Sequence, residues 1–334
     1  MLNGRKSLVT VIAAAAIVTS VGAIPGGSAQ AQPSIEDVQH RVDRLYRAAE
    51  QASERYNQIH VQLTQMRGDV HALRADQNRQ EHRTEAARQV VANSIVQQYE
   101  GDSLSAVGQA VVSKDPAEFV SQLTTMSAFN SMQASQYSSF VTASKALQIR
   151  KEATSSQLEQ VAALEKQAAE DKATVDKNLA AAKSLLGKMK ADARERLLTA
   201  SRSADVSTTT ATTVNVPVSG RAGAAVQYAM AQVGKPYVYG AAGPSSFDCS
   251  GLTMAAWGSA GVGLPHSSSA QYGSGTHISE SQLQPGDLVF YYSPISHVGM
   301  YIGNGMIVNA ENPSAGIRVT GLHTMPYVGA VRPG

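Results

Sequence analysis

The single cysteine of this 334-residue chain, Cys249, lies in Phe247-Asp248-Cys249-Ser250-Gly251-Leu252. One thiol can form neither an internal disulfide nor a thiolate cage for zinc. Paired with a histidine, it can be a nucleophile with its base. His297, in Ser296-His297-Val298-Gly299-Met300-Tyr301-Ile302-Gly303, supplies that partner. The residues after Cys249 read as a helix. The thiol then stands at a helix N-terminus, where unpaired N–H groups and the helix dipole lower a thiol pKa and can hold an oxyanion. His297 opens an expected strand, from which it would take the thiol proton and return it to a leaving amine. Asn309 follows the next expected strand. Its amide oxygen could accept from the second imidazole N–H and orient the ring, giving a Cys249–His297–Asn309 set. The alternative is an inert core cysteine.

His266, His277 and His323 stand alone near turns and read as surface or packing residues. There is no HExxH motif, so neither a metal nor a cofactor is expected. Net charge is +2 with no basic block, so no nucleic-acid partner is expected.

The elements that must position these residues fall in the last third of the chain. Gly, Pro and Tyr are frequent there. Helical runs are expected at 221–233 and 250–260, and β-type runs at 287–292, 298–302, 306–308 and 317–320. Gly303-Asn304-Gly305 is a hairpin turn signal. Helices followed by an antiparallel meander make an α+β domain over 221–334. Before it, 204–220 is Ser/Thr-rich and aperiodic, the composition of a flexible linker.

Residues 34–203 have a different grammar, rich in Ala, Gln, Glu, Lys and Arg. Val38, Val42, Leu45, Ala49, Ala52, Tyr56, Ile59, Leu63, Met66, Val70 and Leu73 alternate steps of four and three. That is a coiled-coil seam. A second seam runs through Leu158, Val161, Ala168, Val175, Leu179, Ala182, Leu186, Met189 and Ala193, interrupted at Glu165 and Lys172. Between the seams, 104–132 reads as a head of short helices, one of them starting at Asp115-Pro116. An antiparallel hairpin is the economical arrangement, and a parallel dimer is the alternative. At the N-terminus, Arg5 and Lys6 precede an apolar stretch from Leu8 to Ile24 and then Ala29-Gln30-Ala31. This reads as a signal peptide over 1–31, hence a secreted, extracytoplasmic protein, with a retained membrane anchor as the alternative.

Five ordered motifs carry a resemblance: Gly234-Lys235-Pro236-Tyr237-Val238-Tyr239-Gly240, FDCSGL around Cys249, Leu264-Pro265-His266-Ser267, the run from Leu283 to Phe290, and SHVGMYIG around His297. Together they resemble the NlpC/p60 cysteine peptidases. The resemblance implies a papain-like fold, hydrolysis of peptidoglycan stem peptides at the bond between D-glutamate and the diamino acid, Cys249 as nucleophile and His297 as base. The third polar position is often His in that family and is Asn309 here. Tyr237, Asp248 and Ser250 match positions that line the site and are expected to hold substrate. Alternatively, Tyr237 packs and Asp248 caps the Cys249 helix. The order of signal peptide, coiled coil, linker and peptidase domain resembles the actinobacterial Rip-type endopeptidases. That implies a membrane regulator of FtsE–FtsX type bound by the coiled coil and activation during cell division. Autoinhibition is expected on a separate ground: an uncontrolled wall hydrolase is dangerous, and the hairpin has surface enough to cover the cleft. The sequence leaves open whether such a cover folds back in cis, arises in a dimer or is absent. An amidase cutting between sugar and peptide, or a non-catalytic wall-binding scaffold, are the competing readings.

Overall fold

The computed structural model describes residues 34–99, 116–189, 191, 193–196 and 220–334. The expected signal peptide and most of the expected linker lie outside them. Among the described residues, no helix is long and apolar enough to cross a membrane.

Helix α1 (Ile35–Tyr99) and helix α2 (Pro116–Gly187) form an antiparallel pair. At 1.5 Å per residue, 65 residues reach about 98 Å. Val38, Val42, Ala49, Ala52, Ile59, Leu63 and Val70 are buried, so the first seam is the packing face of α1. Val38 and Val42 pack with Ala182 and Leu186, and Ile59 and Leu63 with Ala168. Opposed pairing continues in the ion pairs Arg55–Asp171, Arg67–Glu165 and Arg150–Asp76.

The second seam differs from its expected register. Leu158 is 37% exposed, and the seam passes through Leu164 and Asp171 instead of Glu165 and Lys172. Asp171 is buried yet accepts two bonds from Arg55, at 2.9 and 2.7 Å. A paired carboxylate tolerates burial at a seam position, and an apolar-only count misses it. The expected short-helix head is also corrected in part. From Pro116 onward the chain is one continuous 72-residue helix, and 104–115 lies outside the described residues.

The C-terminal domain begins with α3 (Gly220–Met230), followed by α4 (Cys249–Ser259) and α5 (Ser268–Tyr272). Six strands follow, interrupted once by a 3₁₀ turn: β1 (Thr276–Ile278), β2 (Leu288–Tyr291), β3 (His297–Gly303), β4 (Met306–Asn312), β5 (Gly316–Gly321) and β6 (Tyr327–Arg332). They make one antiparallel sheet in the order β1-β6-β2-β3-β4-β5. All four β2 residues are buried because the sheet is covered on both faces. Leu288 and Phe290 join the helix-side core with Leu252, Trp257 and Met300. Val289 and Tyr291 join a second core with Ile307 and Leu322. The hairpin turn forms as the sequence requires, with φ 53° at Asn304 and 68° at Gly305. One expectation is corrected here: β4 extends to Asn312, so Asn309 lies inside the strand and not after it.

Candidate active site

Cys249 is the first residue of α4, and Asp248 is its N-cap, accepting from Gly251 N–H at 2.7 Å. Asp248 also accepts from Gly240 N–H at 2.8 Å and lies 2.8 Å from His266 Nε2. Its first role is therefore to fix the start of α4, and His266 packs against it. Gly251 allows this close approach. A Cβ there would meet the Ala241 carbonyl oxygen at 2.2 Å and Asp248 Oδ1 at 2.8 Å. Gly251→Ala is expected to displace the start of α4 and to lower the thermal midpoint by about 5 °C, the scale of an overpacked core. An unchanged midpoint in a calorimetric scan would show that the loop yields freely.

His297 opens β3, and Asn309 sits on neighbouring β4. Met300 opposite Val308 sets the register, which puts Asn309 opposite Gly299 and diagonal to His297. Gly299 leaves the room: a Cβ there would come 3.2 Å from Asn309 Cβ. Asn309 Oδ1 is 3.0 Å from His297 Nε2, and Asn309 Nδ2 donates to Thr320 Oγ1 at 2.9 Å. The amide oxygen thus receives Nε2–H and leaves Nδ1 for chemistry. Ligand-capable atoms of Cys249 and His297 lie within 4.8 Å of each other, and both residues are buried. Cys249, His297 and Asn309 come together from α4, β3 and β4. Tyr237 and Ser250 flank them: Ser250 follows the nucleophile on α4, and Tyr237 is 5% exposed, with its ring edge-on to Tyr239 at 4.9 Å.

Residues 234–330 match the model of the NlpC/P60 family. A probable endopeptidase p60 from Listeria monocytogenes is 50% identical over 97 residues, 28% of this chain and 20% of that protein. A probable endopeptidase from Corynebacterium glutamicum is 42% identical over 116 residues, 35% of this chain and 56% of that protein. The crystal structure of the NlpC/p60 domain of the peptidoglycan hydrolase SagA is 34% identical, with a TM-score of 0.32. That match covers 33% of this chain and 97% of the SagA domain. The chain belongs to the NlpC/P60 family. Membership rests on its C-terminal domain, since the matched region spans only a fifth to about half of these curated relatives.

The NlpC/P60 cleft of this chain is occupied by its own helix α1. The described residues from Ile35 onward belong to one compact unit, and one face of α1 carries Tyr46, Arg47, Glu50, Glu54 and Asn57 onto the domain. Glu54 Oε1 accepts from Ser250 Oγ at 2.6 Å and lies 3.5 Å from Cys249 Sγ. Glu54 Oε2 accepts from Ser268 N–H at 2.6 Å and Ser268 Oγ at 2.7 Å. Glu50 Oε1 is 2.5 Å from His297 Nδ1. Asn57 Nδ2 donates to Asp248 Oδ2 at 3.1 Å. At the rim, Tyr239 donates to the Tyr46 carbonyl at 2.9 Å, and Arg47 lies over the Tyr292 ring at 4.4 Å. What remains of the cleft is a cavity of about 250 Å³ lined by Arg47, Glu50, Tyr237, Tyr292 and His297 among others.

This occupation reverses one expectation. The thiol pKa is raised well above its ordinary value, first by burial and then by the charges of Glu54, Glu50 and Asp248. The helix N-terminus favours a thiolate, but burial, together with the two carboxylates from α1 and Asp248, outweighs it. His297 is also raised. Burial, the largest single influence, opposes its charge, but the charge and hydrogen bond of Glu50, the Asn309 hydrogen bond and the Glu311 charge together outweigh it. Glu54 itself is raised, chiefly by burial and the nearby Asp248 charge, against the hydrogen bonds from Ser250 and Ser268.

Sequence reasoning missed Glu50, Glu54, Asn57 and Ser268. The first three recur at steps of four and three, which places them on one face of α1. Such a row reads as an ordinary solvated face. The one available signal was the small seam beside it, Ala49, Ala52 and Ser53, all buried.

Proposed function

We propose that this protein is an exported cysteine peptidase that cuts stem-peptide amide bonds of bacterial peptidoglycan and is held inactive by its own helix α1. The observation that carries the reading is the Cys249–His297–Asn309 arrangement, with Glu54 and Glu50 seated on its nucleophile and base.

With α1 withdrawn, the thiol loses two neighbouring negative charges. His297 Nδ1 is freed to take the thiol proton, while Asn309 keeps the ring oriented through Nε2–H. Sγ then attacks the amide carbonyl. The N–H groups at the start of α4 face the developing oxyanion. The tetrahedral intermediate collapses as His297 gives its proton to the leaving amine, and water releases the acyl group by the reverse sequence.

Glu54 also supports the substrate class. Its carboxylate is held by two hydroxyls and a backbone N–H, from Ser250 and Ser268. Those donors suit the free carboxylate of a D-glutamyl residue, so the bond between D-glutamate and the diamino acid is the proposed scissile bond. Tyr237 walls the cleft, and the Asp248 oxygen met by Asn57 becomes open to a ligand.

A membrane complex of FtsE–FtsX type, acting during cell division, is the proposed activator. The long α1–α2 hairpin could carry a pull on its far end to Glu50 and Glu54. Val90, Ile95, Val96, Met132, Tyr137 and Val141 are exposed towards that end and offer it apolar contact. Mass spectrometry of muropeptides digested by the Glu50→Ala/Glu54→Ala chain tests the activity. New D-glutamyl carboxyl ends support the reading, and sugar–peptide cleavage or intact muropeptides would overturn it.

Asn309→Ala in that released background should lower kcat/KM roughly tenfold to a hundredfold, because it leaves a buried imidazole N–H unpaired. An unchanged rate would remove Asn309 from the catalytic set.

The latch should also depend on pH. Docking raises the pKa values of Glu54 and His297, so the docked state binds extra protons. The Glu54 contribution is complete below its ordinary 4.5 and fades as pH rises through the raised value. The His297 contribution is complete below 6.5 and fades in the same way above it. Acid therefore tightens the latch and alkali loosens it. Corrected for intrinsic thiol ionisation, labelling of Cys249 should rise more steeply from about pH 6 to about pH 8 in the native chain than in Glu50→Ala/Glu54→Ala. Parallel profiles would show that docking is not proton-linked.

A further inference from the structure

We propose that the latched cleft is a binding site for one zinc ion, formed by Cys249 Sγ and His297 Nδ1 of the peptidase domain and a Glu50 carboxylate oxygen of α1. It rests on the reading that α1 is docked in the resting chain.

One ligand-capable atom from each of the three residues lies within 4.8 Å of the other two, and all three residues are buried. Zinc binds thiolate sulfur at about 2.3 Å and imidazole nitrogen or carboxylate oxygen at about 2.0–2.2 Å. Tetrahedral angles then require ligand atoms roughly 3.3–3.8 Å apart. The Glu50–His297 contact of 2.5 Å must open by somewhat under about 1 Å, a small swing of a glutamate side chain. The fourth position is left to water.

The hydrogen bonding prepares the imidazole for a metal. Asn309 Oδ1 receives Nε2–H, so Nδ1 is the atom turned to Glu50. A carboxylate oxygen and an imidazole nitrogen at that distance share one proton between them. A divalent ion can take that proton's place, with its outer N–H already held as a metal-bound histidine requires. The balance is one ion in and two protons out: the thiol proton and the shared proton, both to solvent. Calcium and magnesium prefer all-oxygen sites and would be rejected by the sulfur and nitrogen donors.

The consequence is regulatory. Two ligands belong to the catalytic pair and the third to the inhibitory helix. Zinc would therefore cap the nucleophile and pin α1 to the cleft at once, and withdrawing α1 would remove one ligand in three.

Cobalt(II) is the probe, because a thiolate–cobalt bond gives a near-ultraviolet charge-transfer band independent of activity. The chain without residues 1–31 would be titrated with cobalt and then with zinc in competition. Glu50→Gln and Cys249→Ser chains would be treated alike, and metal-free native and Glu54→Ala chains would be compared by thiol labelling. The expected result is a saturable band with one equivalent, displaced by zinc, absent from Cys249→Ser and weaker by at least about tenfold in affinity in Glu50→Gln. Equal affinity in the native and Glu50→Gln chains would overturn the proposal, since the site would then exclude α1. No band, with labelling faster in Glu54→Ala than in the native chain, would overturn the metal site and keep the latch. No band and equal labelling would overturn both.

Discussion

Cys249→Ala in the latch-released chain should abolish muropeptide cleavage, a loss of about 10⁶-fold in kcat. No second thiol exists in the sequence to replace it. His297→Ala should fall to a similar floor, because nucleophile and base act as a unit and their losses do not add. The residual rate would come from the N–H groups at the start of α4, which bind the oxyanion whether or not the thiol is present. Thermal scans separate chemistry from folding. Alanine at Cys249 keeps the N-cap bond from Gly251 to Asp248, so the domain should unfold at nearly the same temperature. Full activity in either variant would end the nucleophilic mechanism.

Glu50→Ala/Glu54→Ala is expected to move in the opposite direction. Thiol labelling and hydrolysis should rise about tenfold to a hundredfold over the native chain, the scale of charge-assisted hydrogen bonds lost from a buried contact. In the docked state the double variant leaves Ser250 Oγ, Ser268 N–H and Oγ, and His297 Nδ1 facing two methyl groups. In the undocked state water satisfies all of them, so the substitution penalises docking alone. The rim contacts of Tyr46 and Arg47 remain, which is why partial release is expected. Labelling at the native rate would mean that α1 does not guard the thiol in solution.

Part of the fold and of the site is legible in the sequence alone. The first seam was legible because steps of four and three match the helical repeat, and burial of Val38, Val42, Ala49 and Leu63 follows from that period. The register of α2 was not, because Asp171 takes a seam position only when Arg55 of α1 neutralises it. Asp248 was legible as a cap, since a β-region Asp before a helical run accepts from the third residue on. Its bond to Gly240 spans an irregular turn eight residues back, and its bond to Asn57 reaches 191 residues along the chain, so neither leaves a periodic pattern.

The sequence by itself determined the two grammars of the chain and the nature of its reacting groups. One thiol, one well-placed histidine and five ordered motifs admit few chemistries, and helical and strand periods are local properties of side-chain spacing. Only the tertiary structure decided the state of those groups. A lone thiol at a helix N-terminus should ionise easily, yet here it is held neutral. Burial does most to hold it so, and the charges that add to burial stand 195 and 199 residues away in sequence, on Glu54 and Glu50. Electrostatic interaction depends on distance through space and on burial, and neither is written in the order of residues.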